Sequence, residues 1–258
     1  MRLRSPQGPI LIGGCGSSGT TLVSHLVNAS RSIYCGPELY LLNKRGMYAS
    51  PFEYSVDEFS TLLDNGIPTT GAIGHPVLAS STCFSIRRDH TFLRNLEVYG
   101  VTREEASRMA ACSTTFRAFV DRFFEYSLSN SNKRRWAEKT PTNCYCIAQF
   151  LSTYPSGKYV HVVRDGRDVV ISLRRRGLSA ASAVRRWIHD TVVGLPHRHS
   201  ERYHEIHYED LVTHPETTVA KLLDFVGVKE KPSTIVEQAQ AKRVLENTHS
   251  TWHRQPNE

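Results

Sequence analysis

The sequence predicts an α/β fold, a central and mostly parallel sheet of about five strands with helices on both faces. Three observations carry that expectation. Short β-rich runs alternate with segments of helical periodicity along the chain, the order that builds parallel sheets. One such unit, Pro9 to Val27 (PILIGGCGSSGTTLVSHLV), sets a strand, a glycine loop and a helix in immediate succession. Another, KYVHVV at 158 to 163, delivers the chain into Arg164-Asp165-Gly166-Arg167-Asp168 and a further helix. Strand, phosphate-type loop and helix together describe a P-loop-type, three-layer arrangement.

In the first unit Ile10, Leu11 and Ile12 form the strand and Gly13 ends it. The turn Gly13-Gly14-Cys15-Gly16-Ser17-Ser18-Gly19 follows, and a helix starts at Thr20 with Leu22, Val23, Leu26 and Val27 on one face. Glycines let successive backbone N–H groups point inward, and a helix start adds roughly half a positive charge, so the unit is an anion cradle. Thr20 and Thr21 add hydroxyl donors. The spacing of Gly14 and Gly19 is that of a Walker A loop, but Thr20 stands where its lysine belongs. A phosphate-like group without a metal therefore fits better than a triphosphate with Mg²⁺. The plain alternative is a strand-to-helix turn that needs glycine for its backbone.

Downstream, residues 31 to 37 read as a loop. Pro37 then suits the first turn of a new helix, which makes Glu38 either a helix-start carboxylate or a general base near the cradle. Residues 47 to 100 carry little pattern and are the expected lid over an acceptor substrate. Glu104 to Ser129 reads as one long amphipathic helix whose stripe of Phe116, Phe119, Val120 and Phe123 belongs to the core. Arg135 to Pro141 is a short strand that places Lys139 where it can reach back over the cradle. Asn143 to Tyr154 is helical, and 158 to 163 is the next strand. Its exit resembles a Walker B strand, but Arg164 beside the aspartate repels Mg²⁺. With a helix from Val169, Ser172 and Arg176 share one face, and with Arg164 they form a grip for a phosphate. Ala180 to Val193 is an arginine-rich helix closed by Pro196. Arg202 to Tyr208 is a late strand, Pro215 to Val226 a helix, and 247 to 254 a polar loop. His204 and His207 point to opposite faces of that strand, against a metal site.

At 258 residues with 40% hydrophobic and 22% charged positions, the chain reads as one globular domain, 1 to 258, with a motif-bearing core from about residue 10 to 228. The net charge of +7 implies an anionic partner. The clusters Lys133-Arg134-Arg135, Arg174-Arg175-Arg176 and Arg185-Arg186 lie beside core elements, so each is a solvated basic face or serves a small polyanionic nucleotide; nucleic acid is not the partner expected. Cysteines at 15, 35, 83, 112, 144 and 146 form no CxxC pair, against a zinc site or a disulfide framework. Reduced cysteines, no apolar leader and no run near the ~20 apolar residues of a membrane span predict a cytoplasmic protein.

Two phosphate-type sites without Mg²⁺ chemistry describe a nucleotide that carries phosphates at both ends. The pair resembles the signature of sulfotransferases that use 3′-phosphoadenylyl sulfate (PAPS). SSGTTL at 17 to 22 is similar to their 5′-phosphosulfate loop, and VVRDGRDVVIS at 162 to 172 to their 3′-phosphate element. Cys35-Gly36-Pro37-Glu38, Glu138-Lys139-Thr140-Pro141 and His207-Tyr208-Glu209-Asp210-Leu211 resemble further motifs of the branch that holds tyrosylprotein sulfotransferases and bacterial relatives, in the same order.

The resemblance implies that Gly16, Ser17, Ser18, Gly19, Thr20 and Thr21 hold the 5′-phosphosulfate. It implies Glu38 as base, Lys139 on the transferring sulfuryl group and Ser250 near the bridging oxygen. Arg164, Ser172 and Arg176 would hold the 3′-phosphate, and Tyr208 would contact the adenine end. The implied reaction passes the sulfuryl group from PAPS to a hydroxyl or amine of a saccharide, peptide, lipid or natural product. It leaves 3′,5′-adenosine bisphosphate (PAP) and uses no metal. Ser17 replaces the family's usual Arg or Lys, and Tyr40 replaces an arginine of the tyrosylprotein enzymes. Competing readings are a P-loop kinase or nucleotide-binding protein, and a non-catalytic binder of PAPS or sulfated glycan.

Overall fold

The computed structural model describes residues 7–43, 48, 91–129 and 131–249. The predicted lid falls outside the described residues except for Tyr48 and residues 91–100, and Ser250 lies outside them too.

Five strands, β1 (Ile10–Gly14), β2 (Ile33–Cys35), β3 (Arg135–Lys139), β4 (Lys158–Val163) and β5 (Tyr203–His207), form one sheet in the order β2-β3-β1-β4-β5. Every neighbouring pair is parallel. The described helices are α1 (Thr20–Ala29), α2 (Thr91–Asn95), α3 (Arg103–Ala111), α4 (Phe116–Ser129), α5 (Ile147–Thr153), α6 (Gly166–Arg175), α7 (Ala180–Val192), α8 (Tyr208–Thr213), α9 (Pro215–Val226) and α10 (Pro232–His249).

The sheet's two-residue period divides the core into two faces. Leu11, Trp136, Tyr159 and Tyr203 face Phe116, Phe119, Phe123 and Phe124 of α4 and Phe150 of α5. Ile10, Ile12, Val160, Val162 and Ile206 face Val23 and Val27 of α1, Leu222 of α9 and Ile235 of α10. The expected layered α/β architecture and the core placement of the aromatic stripe are both found.

Several local expectations change. Residues 33–35 pair with β3 as β2 instead of forming a loop. The run from 104 to 129 is two helices: α3 ends at Ala111, and the Thr115 hydroxyl accepts the Ala118 N–H at 3.0 Å at the start of α4. The segment after Pro141 is 3₁₀ through Cys146 before α5 begins. Residues 247–249 continue α10 and are not loop. The basic run 133–135 is not wholly a solvated face. Arg135 is buried, and its guanidinium donates to the carbonyls of Gly8 and Val226.

Candidate active site

Because the strands are parallel, their C-terminal ends share one edge, and each delivers one part of the predicted site there. The glycine loop follows β1, Glu38 follows β2, Lys139 ends β3, Arg164 follows β4 and Tyr208 follows β5. The chain places β2 and β3 on one side of β1, and β4 and β5 on the other. Ligands of open parallel sheets bind at such a reversal of strand order.

The loop between β1 and α1 is an anion cradle in geometry. Ser18 N–H donates to the Cys15 carbonyl at 3.1 Å, Ser17 takes φ 74°, and Gly19 takes φ 94° as it leads into α1. No side chain caps α1, so the N–H groups of its first turn are left for another acceptor. A Cβ on Gly19 would sit 2.4 Å from the Tyr208 ring, so glycine is required there by backbone and by space. The hydroxyls of Ser17 and Ser18 and the Nε of Arg164 are buried with no hydrogen-bond partner among the described residues. Each such orphan costs about 1–3 kcal/mol until it is satisfied. Three of them around one loop fit an anionic ligand.

Lys139 is held in reach by register, since β3 pairs Lys139 with Ile12 next to the loop. Its ammonium lies 2.6 Å from Glu38 Oε1 and donates to Thr21 Oγ1 at 3.2 Å. The Lys139 side chain is 6% exposed and that of Glu38 26%, so the pair opens to solvent on the glutamate side.

Glu38 does not sit in a helix. Residues 36–41 are irregular, with Tyr40 at φ 55°, because tertiary hydrogen bonds compete with helix formation. Asn95 Nδ2 donates to the Glu38 carbonyl and the Tyr99 hydroxyl to the Pro37 carbonyl, each at 2.7 Å.

Arg164 is the joint between the two phosphate-type elements. Its Nη1 donates to the Ser17 carbonyl at 3.2 Å, its Nη2 pairs with Asp168 at 3.0 Å, and its guanidinium stacks 4.4 Å from the Tyr208 ring centre. Trp187 donates to the Arg164 carbonyl at 3.0 Å, and Glu209 accepts the Asp165 N–H at 2.9 Å, fixing the turn. The neighbouring Arg167 holds the Asp165 carboxyl down to about 2. Ser172 lies in α6, and Arg176 is its exposed C-cap, not a helical residue.

One cluster under the loop escapes sequence reasoning. Asp190 of α7 is fully buried; it accepts a hydrogen bond from the Tyr145 hydroxyl and pairs with Arg186 Nε at 3.2 Å. Burial, with Asp190 adding to it, pushes the Cys15 thiol far above its ordinary value, so Cys15 is an inert packing residue. The i,i+4 spacing of Arg186 and Asp190 was its one visible signal. Among the described residues, no group of His, Cys, Asp and Glu side chains could hold a metal ion.

Known proteins are similar to this chain. A protein-tyrosine sulfotransferase of Drosophila melanogaster is 23% identical over 232 residues, which are 85% of this chain and 38% of that protein. The sulfotransferase domain of the Synechococcus PCC 7002 olefin synthase superposes with a TM-score of 0.56 at 20% identity, covering 91% of this chain and 78% of that one. The sulfotransferase domain from the curacin biosynthetic pathway does so with a TM-score of 0.56 at 20% identity, covering 90% and 77%. At such identities the likeness speaks for the fold. The model of the sulfotransferase family matches residues 9–232, and the chain belongs to that family.

Proposed function

We propose that this chain transfers a sulfuryl group from PAPS to a hydroxyl, or an amine, of its acceptor by in-line displacement, releasing PAP. The observation that carries this reading is the Lys139 ammonium, set between Glu38 and Thr21 at the rim of a loop whose buried hydroxyls have no partner. PAPS supplies an activated sulfuryl group on a good leaving phosphate. Gly16 to Thr21 hold its 5′ end through backbone N–H groups and hydroxyls. Arg164, Ser172 and Arg176 hold the 3′-phosphate, and Tyr208 contacts the adenine end. Ser250 completes the set by resemblance.

Glu38 takes the acceptor's proton, and its partly open face is where an acceptor can approach. Lys139 stabilises the charge that builds on the sulfuryl oxygens and on the leaving oxygen. The transition state of such transfers is loose, so positioning and charge do most of the work. With Ser17 in place of a loop cation, Lys139, through Thr21, is a cation that touches the cradle beside Glu38. The acceptor bears a hydroxyl or amine, and a screen of saccharides, peptides, lipids and natural products with PAPS identifies its class.

Calorimetric titration with PAP tests the donor site. The wild-type protein is expected to bind PAP without Mg²⁺, and ATP is not expected to displace it. Arg164→Ala should weaken binding by about 1.5–3 kcal/mol, the value of a lost charge-assisted bond. Binding of Mg²⁺·ATP with no binding of PAP would replace this reading by that of a kinase.

A further inference from the structure

Glu138 lies one residue before Lys139 and is fully buried, yet among the described residues it pairs with no cation. Its carboxylate instead accepts three hydrogen bonds. Leu39 N–H donates to Oε1 at 3.1 Å, the Thr140 hydroxyl donates to the same oxygen at 2.7 Å, and Asn143 Nδ2 donates to Oε2 at 2.6 Å. Asn143 is tied in turn to the Ile12 carbonyl of β1 at 3.0 Å. The Thr140 hydroxyl, having given its proton to Glu138, accepts the Tyr40 N–H at 3.3 Å. The two N–H groups that follow Glu38 therefore both end on Glu138, one directly and one through Thr140. The carbonyls of Pro37 and Glu38 are taken by Tyr99 and Asn95 on the other side.

We infer that Glu138, with Thr140 as its relay, is a positioning residue that locks the loop carrying Glu38 within reach of Lys139. A loop of this kind has no helical hydrogen bonds of its own, and Tyr40 stands in the left-handed region, so the conformation persists because outside groups hold it. A buried carboxylate that meets no cation among the described residues is an expensive way to accept three hydrogen bonds, and burial pushes its carboxyl up. What it holds is the backbone of the candidate base. Adjacent residues of β3 divide the work. Lys139 meets the Glu38 side chain while Glu138 meets the backbone behind it.

The functional part of this inference rests on Glu38 acting as the base, and the test separates the two. Thr140→Val and Glu138→Gln are compared with Glu38→Gln and with the double variant Glu38→Gln/Thr140→Val. The readouts are amide hydrogen exchange at Leu39 and Tyr40, PAP affinity, and release of PAP from PAPS in water with enzyme in excess. Exchange at the two amides should rise about tenfold or more in Thr140→Val, while the amides of residues 16–21 stay protected. PAP affinity should stay within about twofold and PAP release should fall about tenfold, since misplacement of a base costs rate and not donor binding. In the Glu38→Gln background, Thr140→Val should change release no further. Unchanged exchange in both folded variants overturns the lock even if Glu38→Gln abolishes release. Loss of PAP affinity in step with rate also overturns it, by reducing Glu138 to general structural support. Raised exchange with full release in Glu38→Gln upholds the lock and rejects Glu38 as base.

Discussion

Lys139 Nζ lies 2.6 Å from Glu38 Oε1 and 3.2 Å from Thr21 Oγ1, so one nearly buried ammonium touches both the candidate base and the anion cradle. Removing it should be felt in the chemical step more than in nucleotide binding. Preorganised donors of this kind are worth about 3 kcal/mol, so Lys139→Ala is expected to lower kcat on the order of a hundredfold. Steady-state turnover of PAPS within about threefold of wild type would remove Lys139 from that role. At this scale Lys139 was legible because a lysine before a strand-breaking proline is a local pattern. The partner of its neighbour was not. Nothing near Glu138 in the chain shows that its carboxylate meets Leu39, 99 residues away.

At the scale of elements, the β1–loop–α1 unit was the most legible part, because strand run, glycine turn and helix face are all encoded within twenty consecutive positions. Gly19 is its most constrained point, with φ 94° and the Tyr208 ring against it. Gly19→Ala adds the ~1–2 kcal/mol of a left-handed non-glycine residue to a steric clash, and should weaken PAP binding about tenfold or more. Gly177→Ala is the control. It has φ 91° and nothing within 4 Å of its Cβ, so it should lower stability alone and leave PAP affinity unchanged by calorimetry. If both variants bind PAP equally well, the Gly19–Tyr208 contact has no part in the site. Short elements were the ones misread. β2 has only three residues, too few for a period to show, and it exists because β3 offers it an edge. The residues around Glu38 have the composition of a helix start, but hydrogen bonds from α2, β3 and their neighbours outbid the helix.

The whole molecule adds a pH dependence that no local stretch announces. His161 of β4 is fully buried between Asp190 and Tyr203. Its Nε2 lies 3.0 Å from the Asp190 carbonyl and its Nδ1 2.6 Å from the Tyr203 hydroxyl. A neutral ring that donates to the carbonyl and accepts from the hydroxyl satisfies both contacts. Burial lowers its pKa to about 4. The folded value lies below the ordinary one of about 6.5, so the unfolded chain takes up the proton first. This contribution to stability is full above about pH 6.5 and is lost as the pH falls toward 4, roughly 3 kcal/mol in all. Denaturant unfolding between pH 7 and 4 should show a steeper loss for wild type than for His161→Asn, and equal slopes would acquit His161.

What the sequence by itself determined was everything set by neighbours along the chain: the glycine cradle without its lysine, the alternation of strands and helices, and five motifs in order. Such features depend on backbone period, turn chemistry and helix starts, which operate over a few residues. The tertiary structure alone decided which motifs meet. Strand order and parallel register bring Glu38 to Lys139 across 101 positions and Arg164 to the Ser17 carbonyl across 147. The same register sets Glu138 behind the loop of Glu38. Those meetings depend on which buried faces pack together over the whole sheet, and no local spacing contains that information.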